Sequence, residues 1–145
     1  PMTDELKLQT IFRRENRSFL QYVRESSMWA NPHDHATRDE ILKLGLEDYD
    51  AITEFAHFLQ SQRIPLPYLG AYNTTFTSYN YVTARSLVPM LVREFRKELE
   101  QLTTDIESLA NLESRSAVER VKEQKEKHLR SLEGLAESFK LPKSA

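Results

Sequence analysis

Residues 106–121, IESLANLESRSAVERV, decide how this chain folds. Apolar residues keep helical spacing on both sides, and only Asn111 and Ser114 interrupt a run of helix formers. Read straight through, the region belongs to one helix of roughly 60 residues, around 90 Å long at 1.5 Å per residue. Only another chain could cover the stripe of such a helix. Read as a turn, it separates two helices. The third helix of the chain then runs from about Tyr79 to Leu109 through Ala84, Leu87, Val88, Leu91, Phe95, Leu99, Leu102 and Ile106. The fourth runs from about Ser114 to Phe139 through Val118, Val121, Leu129, Leu132, Ala136 and Phe139, and Leu141-Pro142 ends it. The turn is the better reading, because four stripes of ~25–30 residues can close on one another. Pro89 either kinks the third helix or marks the first turn of its regular part.

Two more stripes lie upstream. Thr3-Asp4-Glu5 opens the first helix with a capping residue and two acids. Leu8, Ile11, Phe12, Phe19, Tyr22, Val23 and Trp29 then recur at helical spacing until Asn31-Pro32 stops the run. Thr37 with Glu40 predicts a capping box at the start of the second helix. Its stripe is Ile41, Leu44, Gly45, Ile52, Phe55, Ala56 and Leu59, ending before Ile64-Pro65-Leu66-Pro67. Residues 64–78, IPLPYLGAYNTTFTS, have no helical period and are long for a connection within one domain. Tyr68, Leu69, Tyr72 and Phe76 make this segment apolar enough to lie across the helices as an overhand connection. The expected architecture is all-α: an up-down four-helix bundle with a long connection between helices 2 and 3. Residues 1–140 form one domain, and 141–145 a polar C-terminal tail.

Composition narrows the function. The 145 residues carry 20 Lys+Arg against 22 Asp+Glu, without the basic surplus expected of a nucleic-acid binder. No apolar run is long enough to span a membrane. The first 30 residues are charged throughout, unlike a secretory signal, and a cytoplasmic location is expected. With no cysteine, disulfides, thiolate metal sites and cysteine nucleophiles are excluded. Three glycines are too few for a phosphate-cradling loop.

The informative residues are ionisable groups on apolar stripes, where a charge needs a partner or a task. Glu15 falls between Phe12 and Phe19, Asp48 between Gly45 and Ile52, and Lys125 and His128 between Val121 and Leu132. Glu98 reaches only the edge of the third stripe. Together with the helix lengths and the long connection, these inward carboxylates resemble the ferritin-like four-helix bundles. The resemblance implies a carboxylate and histidine metal centre. Di-iron members take one Glu from each of two helices and a Glu-x-x-His from each of the other two. Here Glu54 and His57 match that spacing but lie more than ~130° from the middle of their stripe, so they should face water. The fourth helix offers Lys125-Glu126-Lys127-His128, with lysine where the family has a ligand. A protonated lysine cannot coordinate a metal, but it can neutralise Glu15 and Asp48. Three readings follow. The first is a salt-bridged polar centre of Glu15, Asp48, Lys125 and His128 with no cofactor. In the second, Lys125 snorkels to the surface and Glu15 sits at a helix boundary. In the third, Glu15, Asp48 and His128 retain iron or manganese.

Other candidates are weaker. His33, Asp34 and His35 could bind a divalent metal in their loop, but loop histidines at this density are more often simply solvated. No histidine lies in a nucleophile-elbow context. Tyr68, Tyr72, Phe76, Tyr79 and Tyr81 either staple the long connection to the bundle or form an interaction surface, since tyrosine is enriched where proteins meet. Stacking on single-stranded nucleic acid would need a basic groove that the charge balance does not supply. The alternating charges of the fourth helix, including Glu123 with Lys127 and Glu126 with Arg130, suit a solvated face. The expected function is non-catalytic: a small subunit or adaptor that associates with a protein partner or with itself as a homo-oligomer.

Overall fold

The computed structural model describes residues 3–26, 28, 30–80 and 82–140. Among them the chain is all-helical, with no strand. Its α-helices are α1 (Asp4–Asn16), α2 (Phe19–Glu25), α3 (His35–Ser61), α4 (Ala84–Ser108) and α5 (Leu112–Ser138). Short 3-10 turns at Pro32–Asp34 and Thr74–Tyr79 lie in the two longer connections. Trp29, Tyr81, Leu141-Pro142 and the tail fall outside the described residues.

The decisive turn is present, and α4 and α5 are separate helices. Asn111 caps α5 by accepting from the Ser114 backbone N–H at 3.0 Å. The first helix of the chain closes the bend from outside. Its Asp4 carboxylate accepts from the N–H groups of Ala110 at 3.2 Å and Asn111 at 2.9 Å. Its Lys7 ammonium donates to Ser108 O, a terminal carbonyl of α4, at 2.7 Å. An anion therefore meets the start of one helix and a cation the end of the other, as the helix dipoles favour. These bonds hold the Asp4 carboxyl below its ordinary range.

Three expected boundaries move. The first predicted helix is two, because the Ser18 hydroxyl accepts from Gln21 N at 3.3 Å and starts α2 as a new N-cap. The apolar stripe resumes in phase after this break, so spacing alone does not reveal it. No Thr37 capping box forms. Pro32 opens a 3-10 turn that leads directly into α3 at His35 and leaves Thr37 buried inside the helix. The third predicted helix begins at Ala84 instead of Tyr79, with Thr83 as its cap. Residues 74–79 form a 3-10 turn capped by Asn73. Pro89 lies inside α4, where its missing N–H leaves Arg85 O without the usual donor.

The hydrophobic core has two halves. One gathers Phe19, Leu20, Val23, Ile41, Leu44, Leu91, Phe95 and Leu132 with their neighbours. The other gathers Leu8, Ile11, Phe12, Ile52, Phe55, Leu59, Leu102 and Val118 with theirs. The α1–α2 pair, α3, α4 and α5 each contribute to both halves. Between the two, these elements carry Glu15, Asp48, Glu98 and Lys125 in turn, so a polar layer divides the core at its waist.

Gly45 sets how closely α2 approaches α3. A Cβ there would lie 3.1–3.2 Å from Cβ, Cγ and Cδ of Arg24, whereas a Cβ at Gly134 of α5 would meet nothing within 4 Å. Replacing a helical glycine by alanine gains about 1 kcal/mol, and crowding a packed contact costs about 1–3 kcal/mol. Gly134→Ala is therefore expected to raise the unfolding free energy by up to about 1 kcal/mol. Gly45→Ala should lower it, and urea denaturation of both variants checks the opposite signs.

Candidate functional site

Every member of the predicted polar centre is buried: Glu15, Asp48, Lys125 and His128 are at most 5% exposed. Lys125 does not snorkel. Its Nζ donates to Glu98 Oε2 at 2.6 Å, lies 3.2 Å from Glu15 Oε2, and sits 4.7 Å from the centre of the Phe95 ring. The partner expected on α3 is replaced by one on α4. Asp48 instead accepts from Gln21 Nε2 at 2.9 Å. The same amide group donates to Gly45 O at 3.0 Å, and Gln21 Oε1 accepts from Arg24 Nε at 2.7 Å. His128 turns to another neighbour: its Nε2 is 3.1 Å from Glu47 Oε2 and 3.1 Å from the Gln124 amide. Its Nδ1 and Glu15 Oε1 are buried without a hydrogen-bond partner.

Glu98, Gln21 and Glu47 were not part of the predicted centre. Glu98 sits at the edge of its stripe, and its flexible side chain carries the carboxylate inward. Gln21 carries no charge and so escapes a search for ionisable residues. The one sequence signal available was charge balance, since a single inward lysine invites more acids than the stripe centres provide.

The electrostatics follow from one ammonium among three acids. Burial alone would lower the pKa of Lys125, but the charges of Glu15, Glu98 and Asp48 outweigh it and raise it. The amine therefore stays charged. Burial dominates for Glu98 and Glu15. It raises Glu98 to about 7 despite the pull of Lys125, and it raises Glu15 as well.

The three side chains of the metal reading are each engaged elsewhere: Glu15 with Lys125, Asp48 with Gln21, His128 with Glu47. Among the described residues, no three His, Asp or Glu side chains are placed to hold a metal ion. Glu54 and His57 face solvent, as their angle requires, and so do His33 and His35, while Asp34 is buried.

The aromatic connection divides into two kinds of residue. Phe76 and Tyr79 pack against Phe19 with ring centres 5.1 and 5.2 Å apart, and Tyr72 packs against Tyr22 at 5.4 Å beneath Arg17. These three are staples. Tyr68 is not, with 88% of its surface exposed. Its backbone is nevertheless fixed. Gln9 and Arg13 of α1 and Arg17, which caps its C-terminus, donate to the carbonyls of Pro65, Tyr68 and Gly70 at 2.7, 3.0 and 2.8 Å. Tyr81 lies outside the described residues. Searches against known families, characterised proteins and solved structures found no match to this chain.

Lys125→Ala strands buried carboxylates and is expected to cost about 3–5 kcal/mol of stability. Replacing Lys125 by Met together with Glu15→Gln and Glu98→Gln should recover most of that loss, as measured by urea denaturation. A second expectation concerns pH. Between the ordinary carboxyl range and about 7, native Glu98 keeps a proton that the unfolded chain has released. Stability from this group is therefore full below its ordinary value of 4.5 and is lost progressively until pH passes about 7, whereas the Asp4 contribution is lost below its ordinary value of 3.8. The urea midpoint should peak just below the ordinary carboxyl value of 4.5, decline up to about pH 7 and level off above it, and Glu98→Gln should flatten the decline.

Proposed function

We propose that this chain is a non-catalytic scaffold, a helical bundle of ferritin-like build that acts as a small subunit or adaptor through protein association. The observation that carries this reading is Tyr68. A large aromatic ring stands in solvent on a backbone that three side chains of α1 and its C-cap hold in place. An ordered, exposed tyrosine loses little conformational freedom on binding, which is why such residues are favoured anchors at interfaces. Leu66 on the same strap is 42% exposed and extends the apolar surface. The interior supports the same reading, since Glu15 and Glu98 pair with the chain's own ammonium and Asp48 with the Gln21 amide. Among the described residues, no helix is long and apolar enough to cross a membrane.

Tyr68 and Tyr72 should respond differently to loss of the ring. Tyr68→Ser is expected to leave the thermal melt unchanged and to shift the mass distribution in analytical ultracentrifugation toward smaller species. Tyr72→Ser should lower the melting temperature, because it removes packing against Tyr22. A photo-crosslinking analogue at position 68 should yield an adduct with a second polypeptide. If neither the mass shift nor an adduct appears, the association reading is wrong.

A further inference from the structure

The seam between α3 and α5 is open along its outer side. A cleft of about 380 Å³ is floored by Ala51 and Phe55 of α3 and Ala117 and Val121 of α5. At Ala51 and Ala117 the two helices present only methyl groups, so the ridge that would close the seam is missing. A second hollow of about 350 Å³ shares Arg120 with the first and continues along the seam between Phe58 and Leu112. The helices run antiparallel here, with Glu47 beside His128 at one end and Gln62 beside Glu113 at the other. From Glu47 to Gln62 the groove is about 22 Å long at 1.5 Å per residue. Leu112 is 73% exposed at its rim, although nothing in the fold requires a leucine there.

The rim charges are one-sided. Glu47, Asp50, Glu54 and Glu113 line the groove, and Arg120 is its single cation. Among the described residues neither Asp50 nor Glu54 joins an ion pair. Glu47 is held by the buried ring of His128. The hollow between α4 and α5 is also acid-rich, but Ile106 is the one large apolar side chain that lines it. Of these hollows, the α3–α5 groove alone joins acidic rims to a strongly exposed leucine, Leu112, above a floor in which Phe55, Ala117 and Val121 belong to the core.

We infer that the α3–α5 groove docks a basic amphipathic helix of a partner protein. The partner lays an apolar stripe over Phe58 and Leu112 and the edge of Ala51, and aims lysine or arginine at Asp50, Glu54 and Glu113. This is the helix-in-groove mode, with charge setting which helices are accepted. The groove shares no residue with the Tyr68 strap, so the inference goes beyond the proposed function and fails or stands separately from it.

The test uses the full chain and a fluorescein-labelled peptide of about four helical turns, with leucine and lysine at amphipathic helical spacing. Fluorescence anisotropy should show saturable binding that weakens with salt. Asp50→Lys with Glu54→Lys, both on exposed positions, should weaken binding roughly tenfold or more, and Leu112→Ser should weaken it too. Glu107→Lys with Glu123→Lys, in the α4–α5 hollow, should leave it unchanged. Hydrogen exchange on the unmodified chain should place peptide protection on α3 and α5. The inference is overturned by absence of saturable binding, by equal loss in both charge-reversal pairs, by equal binding of a scrambled peptide, or by protection elsewhere.

Discussion

The contact between the Lys125 ammonium and the carboxylates of Glu98 and Glu15 is the constraint around which the helices are arranged. An unpaired charge in an apolar interior is costly, whereas an apolar side chain tolerates many neighbours of similar size. Hydrophobic stripes alone would accept sliding by a helical turn, since both core halves are built from much the same leucines, phenylalanines and valines. The polar waist does not accept it. Moving α5 by one turn would place Lys125 against apolar residues and leave Glu15 and Glu98 facing one another. Ionic layers of this kind act mainly by fixing register and only secondarily by adding stability.

The same layer explains why Gly45 and Gln21 occur where they do. Asp48 lies on the waist but out of reach of a direct lysine bond, so it needs another donor. The Gln21 amide supplies one and at the same time joins α2 to the α3 carbonyl at Gly45. That approach is possible only because Gly45 has no side chain to meet Arg24. A glycine that reads from sequence as one more small residue on a stripe is thus the place where the polar layer and the close packing of two helices are reconciled.

How much of this was legible in the sequence depends on what each residue's chemistry constrains. Glu15, Asp48, Lys125 and His128 were legible as candidates because an ionisable side chain in the middle of an apolar stripe needs a partner, while the choice between an inward and a snorkelling Lys125 was not. Their pairing was not, because stripe position fixes direction but leaves the reach of a long flexible side chain free, and Glu98 exploits that reach. The break at Ser18 was hidden because α2 resumes the stripe of α1 in phase. Residues 64–79 have no period to read. Nothing in their order distinguishes Tyr72, which is clamped under Arg17, from Tyr68, which projects into water. That difference arises from three donors on α1 and its C-cap, about fifty residues away.

The bend between α4 and α5 has a consequence of its own. These two helices are neighbours along the chain and can meet early in folding, since the loop that joins them is short. The polar groups at their junction are completed by Asp4 and Lys7, about a hundred residues distant. The hairpin can therefore form before it is sealed. The seal is complete only when α1 has docked, so the last hydrogen bonds of the bend depend on a helix far away in the chain.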